Sequence, residues 1–403
     1  MALGSTSRRI TLRCRLLRGY NASVASQHKR VTPCLHRPIW LSSRTFSTDE
    51  NAPFNQHTKH KQRHRAASNA KTYYEAHLAS SSPQSPPPSI PYDYFHAEIA
   101  DRLIDRLDDI LTPDNRGFPL ALEIGSNGGD FVHHAICSGY QDDLELDPEE
   151  NSIENEPQGG RGGVRKLVQM DPCQDMLHRD EAVRDTSTAT SGQCETYKLV
   201  ADYEIYPWSF PDGTFDLVVS SMAFHWVNDL PKLLMEIKRV LKPDGCLLFA
   251  LPGGNTLPEL RSSLVLAELE RTGGVSTHLG PYIDVSNIGG LLTGTGFKLP
   301  TVDVDEIAIG YPNMMVLMEH LGRMGEGNAC KARKDRVGLG TFLAAAAVYR
   351  ELYPEDDEGV VASAQVIYGI AWKEHESQQK PLERGSATNK MTEITVTKTS
   401  GGD

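Results

Sequence analysis

Five short apolar runs, "FPLALEIG", "KLVQMD", "YKLVAD", "FDLVVSS" and "CLLFALPG", lie in series between residues 118 and 253. Parallel strands cannot be joined by tight hairpins; they need crossovers, which helices usually supply. Helical spacing does occur between and around these runs. Phe95, Ile99, Leu103 and Leu107 form one stripe, and Phe131, Val132, Ala135 and Ile136 another, stopped by Gly139. A helix is predicted from Leu230 to Leu241, capped by Asn228 or Asp229, with Pro231 in its first turn. Leu257, Leu260, Leu264 and Ala267 mark the next helix, Leu291 another, and helices fill residues 312–353. "TVDVDEIAIGY" alternates as a strand should, and "AQVIYGIAWK" is the last strand, reached after a long excursion. The fold class is therefore α/β. Its near-continuous apolar strands suggest a sheet covered on both faces.

Charge divides the chain. Residues 1–48 carry nine lysines and arginines and no acid, among many serines and threonines. That composition reads as a mitochondrial transit peptide, with Arg44-Thr45-Phe46-Ser47 as a processing site; a basic tail is the alternative. Taking nine positive charges from a net −12 leaves −21, a balance that repels phosphate backbones and argues against nucleic acid as a partner. Residues 49–91 hold a short basic run, Lys59, Lys61, Arg63 and Arg65, and then a stiff Ser/Pro-rich linker. The basic run reads as a solvated helix face, an arm or a lid. Residues 141–163 are acidic and then glycine-rich, and are expected to be a disordered surface insertion. The seven cysteines include no C-x-x-C pair, so free thiols are expected. No apolar run approaches the roughly 18 residues of a membrane span.

The turn "LEIGSNGGD" after the first apolar run raises the question of a ligand. Glu123 is followed by Gly125, Asn127 and Gly129, close to the acid-G-x-G-x-G pattern of methyltransferases that use S-adenosylmethionine. Asparagine stands at the middle glycine, where it tolerates a left-handed backbone. Asp171 ends the second run, where a carboxylate can accept from a ribose diol, and Asp202 follows the third, in place for an adenine amino group. A structural turn and capping acids are the alternative. Beyond the fourth run, His225 is a candidate base or guanidinium-orienting group, and Trp226 a ring on which a cation can stack. A capping histidine and a packed indole are the alternative. Glu259, Glu268 and Glu270 can face a basic peptide or solvent. His96-Ala97-Glu98 has H-x-E spacing, but on a helix i and i+2 diverge, so the pattern suggests no metal, and no oxidant is legible.

From about Phe54 to Thr388 the chain resembles the mitochondrial complex I assembly factors that have a methyltransferase fold. The motifs that carry this are "FDLVVSSMAFHWVNDLP", "LKPDGCLLFALPGGNTLPELRSSLVLAELERTGG", "TVDVDEIAIGYPNMMVLMEHLGRMGEGNA" and "WKEHESQQKPLERGSAT". It is more distantly similar to the carrier-protein methyltransferase of biotin synthesis. The resemblance implies a class I methyltransferase, Rossmann-like domain over residues 92–376. Its seven-stranded, mostly parallel sheet would have helices on both faces and an inserted antiparallel last strand, with a C-terminal motif and tail over 377–403. It also implies a matrix protein peripheral to the inner membrane, S-adenosylmethionine as cofactor, and hydroxylation of an arginine on an iron–sulfur subunit of complex I. Methyl transfer to a protein or small acid is the alternative enzyme reading, and a non-catalytic platform for assembly is a third. Asn127 departs from the family's usual three glycines, and Asn55 stands where the family usually has aspartate. Within the C-terminal motif the resemblance gives weight to Glu374, His375 and Arg384 without assigning them roles.

Overall fold

The computed structural model describes residues 10–13, 52–80, 90–110, 117–128, 130–138, 159–181, 194–334, 336–355 and 359–378. Apart from Ile10–Arg13, the transit span lies outside these, as do most of the Ser/Pro linker, positions 141–158 of the insertion, Gly129, Arg384 and the tail.

In chain order the elements are strand β1 (Ile10–Arg13), helices α1 (Gln56–Ser80) and α2 (Tyr94–Asp108), β2 (Leu120–Ile124), α3 (Phe131–Ser138), β3 (Lys166–Asp171) and the short α4 (Gln174–Leu177). There follow β4 (Glu195–Val200), β5 (Phe215–Ser221), α5 (Leu230–Val240), β6 (Leu241–Pro252), α6 (Pro258–Thr272), α7 (Val285–Gly294), β7 (Lys298–Tyr311), α8 (Met314–Met324), α9 (Leu339–Leu352) and β8 (Val360–Trp372). The sheet order is β1-β7-β8-β6-β5-β2-β3-β4. Strands β2 to β6 pair in parallel, and β8 inserts antiparallel between β6 and β7. The expected seven strands are all present. An eighth, β1, pairs in parallel with β7 at the edge, within the span read as a transit peptide.

Both faces of the central strands β2, β3, β5, β6 and β8 are buried, as their apolar runs predicted, whereas the edge strand β4 leaves Tyr197, Leu199 and Val200 exposed because, among the described residues, no further strand covers it. Successive residues of β5 enter different cores: Leu217 and Val219 join Ile99 and Leu103 of α2, while Val218 joins Leu233 and Ile237 of α5; Phe215, before a register shift at Leu217, also lies on the α5 side. The period of two makes this division automatic. Helix α5 is capped by Asp229, whose carboxylate accepts from Lys232 N at 3.0 Å. Asn228, the other candidate, instead accepts from Phe54 N and anchors the chain leading into α1.

Helix α1 lies over the carboxyl rim of the parallel strands. Its inward face is Lys59, Arg63, Ala66, Ala67 and Ala70, at spacings of four, three, one and three; Lys61 and Arg65 point to solvent. The alanines let the helix approach closely, Ala66 and Ala67 packing on Cys173 and Met176 beside α4. A solvated face is therefore half right for the basic run: two cations face water, and two are buried against the rim.

Candidate active site beneath the N-terminal helix

The turn after β2 adopts the strained backbone its sequence allows. Gly125, Asn127 and Gly128 have φ of 74°, 51° and 74°. At Gly125 an added Cβ would stand 2.3 Å from the Ala223 side chain, so close packing of the turn on the end of β5 demands glycine there. Asn127 takes the left-handed conformation expected of it. Its Nδ2 donates to the carbonyls of Ser221 and Met222 at 2.7 and 2.9 Å, which staples the turn to the end of β5.

The acids are placed less uniformly than their spacing suggested. Glu123 lies in the sheet opposite Gln169 of β3 and accepts from its Nε2 at 2.8 Å. Burial pushes this carboxyl up to about 8, against the pull of that hydrogen bond. Asp171 ends β3, fully buried, and accepts from Cys173 N at 2.7 Å and from Arg63 Nη2 at 2.5 Å. Arg63 also donates to Asn127 Oδ1 at 3.3 Å. Asp202 stands two residues beyond β4 and accepts from Glu204 N at 2.9 Å. It lines a crevice with Gln56, Lys59, Arg63 and Tyr203, and about 20 Å³ remains there between α1 and the rim. That holds about one water. The expected adenosyl-sized hollow is thus filled by the α1 side chains in this conformation, because Asp171 attracts the Arg63 guanidinium.

A second cluster adjoins the first. His225 and Trp226 lie in the 3-10 turn Phe224–Trp226 after β5, and both reach Glu326. Glu326 Oε2 accepts from Trp226 Nε1 at 2.7 Å, His225 Nε2 at 3.0 Å and Lys59 Nζ at 3.3 Å. The Lys59 ammonium stands 3.5 Å from the centroid of the Trp226 ring and donates to the Gly325 carbonyl at 2.7 Å. His96 Nε2 approaches Glu326 Oε1 at 3.9 Å. Glu326 owes its position to the end of α8. Gly325 has φ 84°, and Glu326 N reaches back to the Leu321 carbonyl, a glycine-dependent helix stop.

Electrostatics follow from burial and pairing. Burial alone would raise the Glu326 carboxyl, but Lys59 and His225 hold it well below the usual carboxylate range. Burial lowers Lys59 to about 7 despite the pull of Glu326. Burial likewise lowers His225, so the imidazole is neutral near pH 7 and, with Nε2–H donating to Glu326, its Nδ1 carries a lone pair. That tautomer is assigned from the hydrogen-bond network. Among the described residues, neither His225 Nδ1 nor His96 Nε2 has a hydrogen-bond partner. Arranged so, the cluster can bind and orient a cation and accept a proton at Nδ1. Among the described residues, no group of three or more His, Cys, Asp or Glu is arranged to hold a metal ion.

The structure brings His225, Trp226, Asp171 and Asn127, all singled out in the sequence as candidates, together under α1. Glu326 went unnoticed in the sequence, while Lys59 and Arg63, read as a solvated face, arm or lid, and His96, set aside as a metal ligand, were not assigned to this site. The four-residue spacing of Lys59 and Arg63 was a usable signal for one helix face. Glu326 had no local signal beyond a glycine on either side. Glu259 and Glu268, weighed as peptide-binding or solvated, are buried and structural: Glu259 accepts from Ser363 N, and Glu268 holds Ser276, His278 and Lys334. Glu374 and His375 engage Lys298 and Ser377 at the opposite end of the sheet from this rim.

The strand order, with its inserted antiparallel strand, and the turn after β2 define a class I methyltransferase fold. Consistent with this, residues 156–249 match the family described as "Methyltransferase domain". Relatives narrow the assignment. "Arginine-hydroxylase NDUFAF5, mitochondrial" of Homo sapiens is 41% identical over 303 residues, covering 75% of this chain and 76% of that one. The protein of the same name from Dictyostelium discoideum is 38% identical over 77% of this chain and 66% of its own length. A "Malonyl-[acyl-carrier protein] O-methyltransferase" of Methylovorus sp. is 32% identical over 52% of this chain and 67% of its own. The chain belongs to the family of mitochondrial NDUFAF5 arginine-hydroxylases, enzymes built on a methyltransferase fold. The mitochondrial location expected from the basic N-terminal span agrees with that membership. No helix among the described residues is long and apolar enough to cross a membrane.

Proposed function

We propose that this chain hydroxylates an arginine side chain on an iron–sulfur subunit of respiratory complex I during assembly, in the mitochondrial matrix at the inner membrane. One observation carries the reading: a buried, cation-holding cluster of Trp226, Glu326 and the Gly325 carbonyl lies at the carboxyl rim of the sheet. The relatives named arginine-hydroxylase supply the reaction class. An anionic carboxylate and an aromatic face suit a guanidinium, which is planar, always charged and prone to stack. Neutral His225 accepts a proton at Nδ1 or orients the substrate. Replacing a C–H bond of the arginine by C–OH removes two electrons, so the reaction also requires an oxidant and an oxygen source, neither of which these side chains supply.

The cofactor belongs to the same proposal. Asp171 would accept from the ribose hydroxyls of S-adenosylmethionine, Asp202 would meet the adenine amino group, and the turn from Gly125 to Gly128 would pass beneath the ligand. The acids at the ends of β3 and β4 fit that donor set once Arg63 releases Asp171. Bound there, the cofactor supplies an activated methyl group, and this favours the second reading, methyl transfer to a protein or small acid. The two readings separate by mass spectrometry of complex I subunits from cells lacking the chain. Loss of a hydroxylated arginine (+16 Da), restored by the natural chain and not by Glu326→Gln, is the expected result. Retention of the hydroxyl group with loss of a methyl group would favour the second reading. Calorimetry with S-adenosylmethionine, comparing the natural chain with Asp171→Ala, tests the cofactor; equal heats would remove Asp171 from it.

A further inference from the structure

Lys59 is an unusual residue with which to dock a helix. Its ammonium is buried, its anionic partner is Glu326, and that carboxylate already accepts from Trp226 and His225. Removing an ammonium from water is costly, and apolar side chains of similar size dock helices at less cost. The surroundings of Nζ are nonetheless built for a cation: an aromatic face at 3.5 Å, a carbonyl at 2.7 Å and a carboxylate at 3.3 Å. Two buried imidazole nitrogens, His225 Nδ1 and His96 Nε2, make no hydrogen bond among the described residues, His96 Nε2 standing 3.9 Å from Glu326 Oε1. Beside His225 lies an apolar cavity of about 40 Å³, lined by Met222, Tyr282 and Glu326 among others. The cage thus has donors' partners to spare and apolar room next to it, neither of which Lys59 uses.

We propose that the Trp226–Glu326–Gly325 cage is the seat of the substrate's guanidinium, and that Lys59 occupies it as an internal stand-in which the incoming arginine displaces. This deepens the hydroxylase reading and rests on it for the identity of the cation. Arg63, one turn further along the same face, is seated on Asp171 and Asn127, so both cations hold α1 across the rim. Displacing Lys59 therefore loosens the helix that fills the crevice, and substrate entry is coupled to opening of the neighbouring cofactor position. A tethered competitor lowers the apparent affinity of a free ligand by the fraction of time the seat is open.

The test is binding of Nα-acetyl-L-arginine methylamide to the full chain by calorimetry, with the neutral citrulline analogue as control. Lys59→Met is expected to bind the arginine probe about tenfold tighter than the natural chain, by removal of the competitor. It should not bind the citrulline analogue, and Lys59→Met with Glu326→Gln should lose the probe. Equal affinity of the natural chain and Lys59→Met, or binding that survives Glu326→Gln, overturns the proposal. If Lys59→Met does not fold, hydrogen exchange on the natural chain decides. A saturating arginine probe should speed exchange of the α1 amides, and unchanged protection overturns the proposal. Both readouts are independent of turnover, so they can fail while arginine hydroxylation in cells stands, and the reverse.

Discussion

Glu123 shows how one residue can match a motif and yet serve the fold. It was expected at the cofactor, but the structure sets it in the sheet against Gln169, buried, with its carboxyl pushed up to about 8. A carboxyl raised in the folded state favours folding fully below its unfolded value near 4.5 and loses that contribution as pH rises through about 8. The natural chain should therefore lose on the order of 3 kcal/mol between pH 4.5 and 7 from this group, a loss absent in Glu123→Gln. Urea melts of both chains across that range measure it; parallel pH profiles would refute it. Asn127 is the contrasting case. The sequence suggested a left-handed asparagine, and the structure adds that its amide ties the turn to β5.

At the scale of the element, α1 is the least self-evident part of the chain. Its mean composition is polar, and its inward stripe pairs two cations with three alanines. Its docking depends on ion pairs in a buried setting, where removing one partner leaves the other uncompensated, typically at about 3–5 kcal/mol. Arg63→Gln should thus weaken α1 docking by that order, seen as faster hydrogen exchange in residues 56–70. The same substitution frees Asp171. If Asp171 receives the ribose, S-adenosylmethionine should bind Arg63→Gln roughly tenfold tighter than the natural chain, since the internal competitor is gone. A weaker affinity would instead make Arg63 a cofactor ligand.

For the whole molecule, the seven-stranded sheet stands apart from its N-terminal edge. β1 adds four paired residues beside β7, within the span read as a transit peptide. A chain beginning at Asp49 should keep its fold and lose no more than a few degrees of thermal midpoint, because a short edge strand contributes little to a core with two covered faces. Circular dichroism melts compare the two, and a collapse of the shorter chain would make β1 integral. The stretch of β7 that this uncovers, Ile307–Gly310, is uncharged, but Asp303, Asp305 and Glu306 stand just before it on the same strand, charges that discourage edge-to-edge association.

The alternation of apolar strands with helical stripes was enough to set the α/β class, the parallel sheet and its two buried faces, because periods of two and near 3.6 are local properties of the chain. Phe95, Ile99, Leu103 and Leu107 could be placed on α2 in that way, and Asp171 at the end of β3. What Asp171 and Trp226 touch is not local. Arg63 lies 108 positions from Asp171, and Glu326 lies 100 from Trp226. Only folding brings α1 and the end of α8 to the same rim. There, burial makes an unpaired charge costly, so each cation and carboxylate is committed to a partner its sequence neighbours do not reveal.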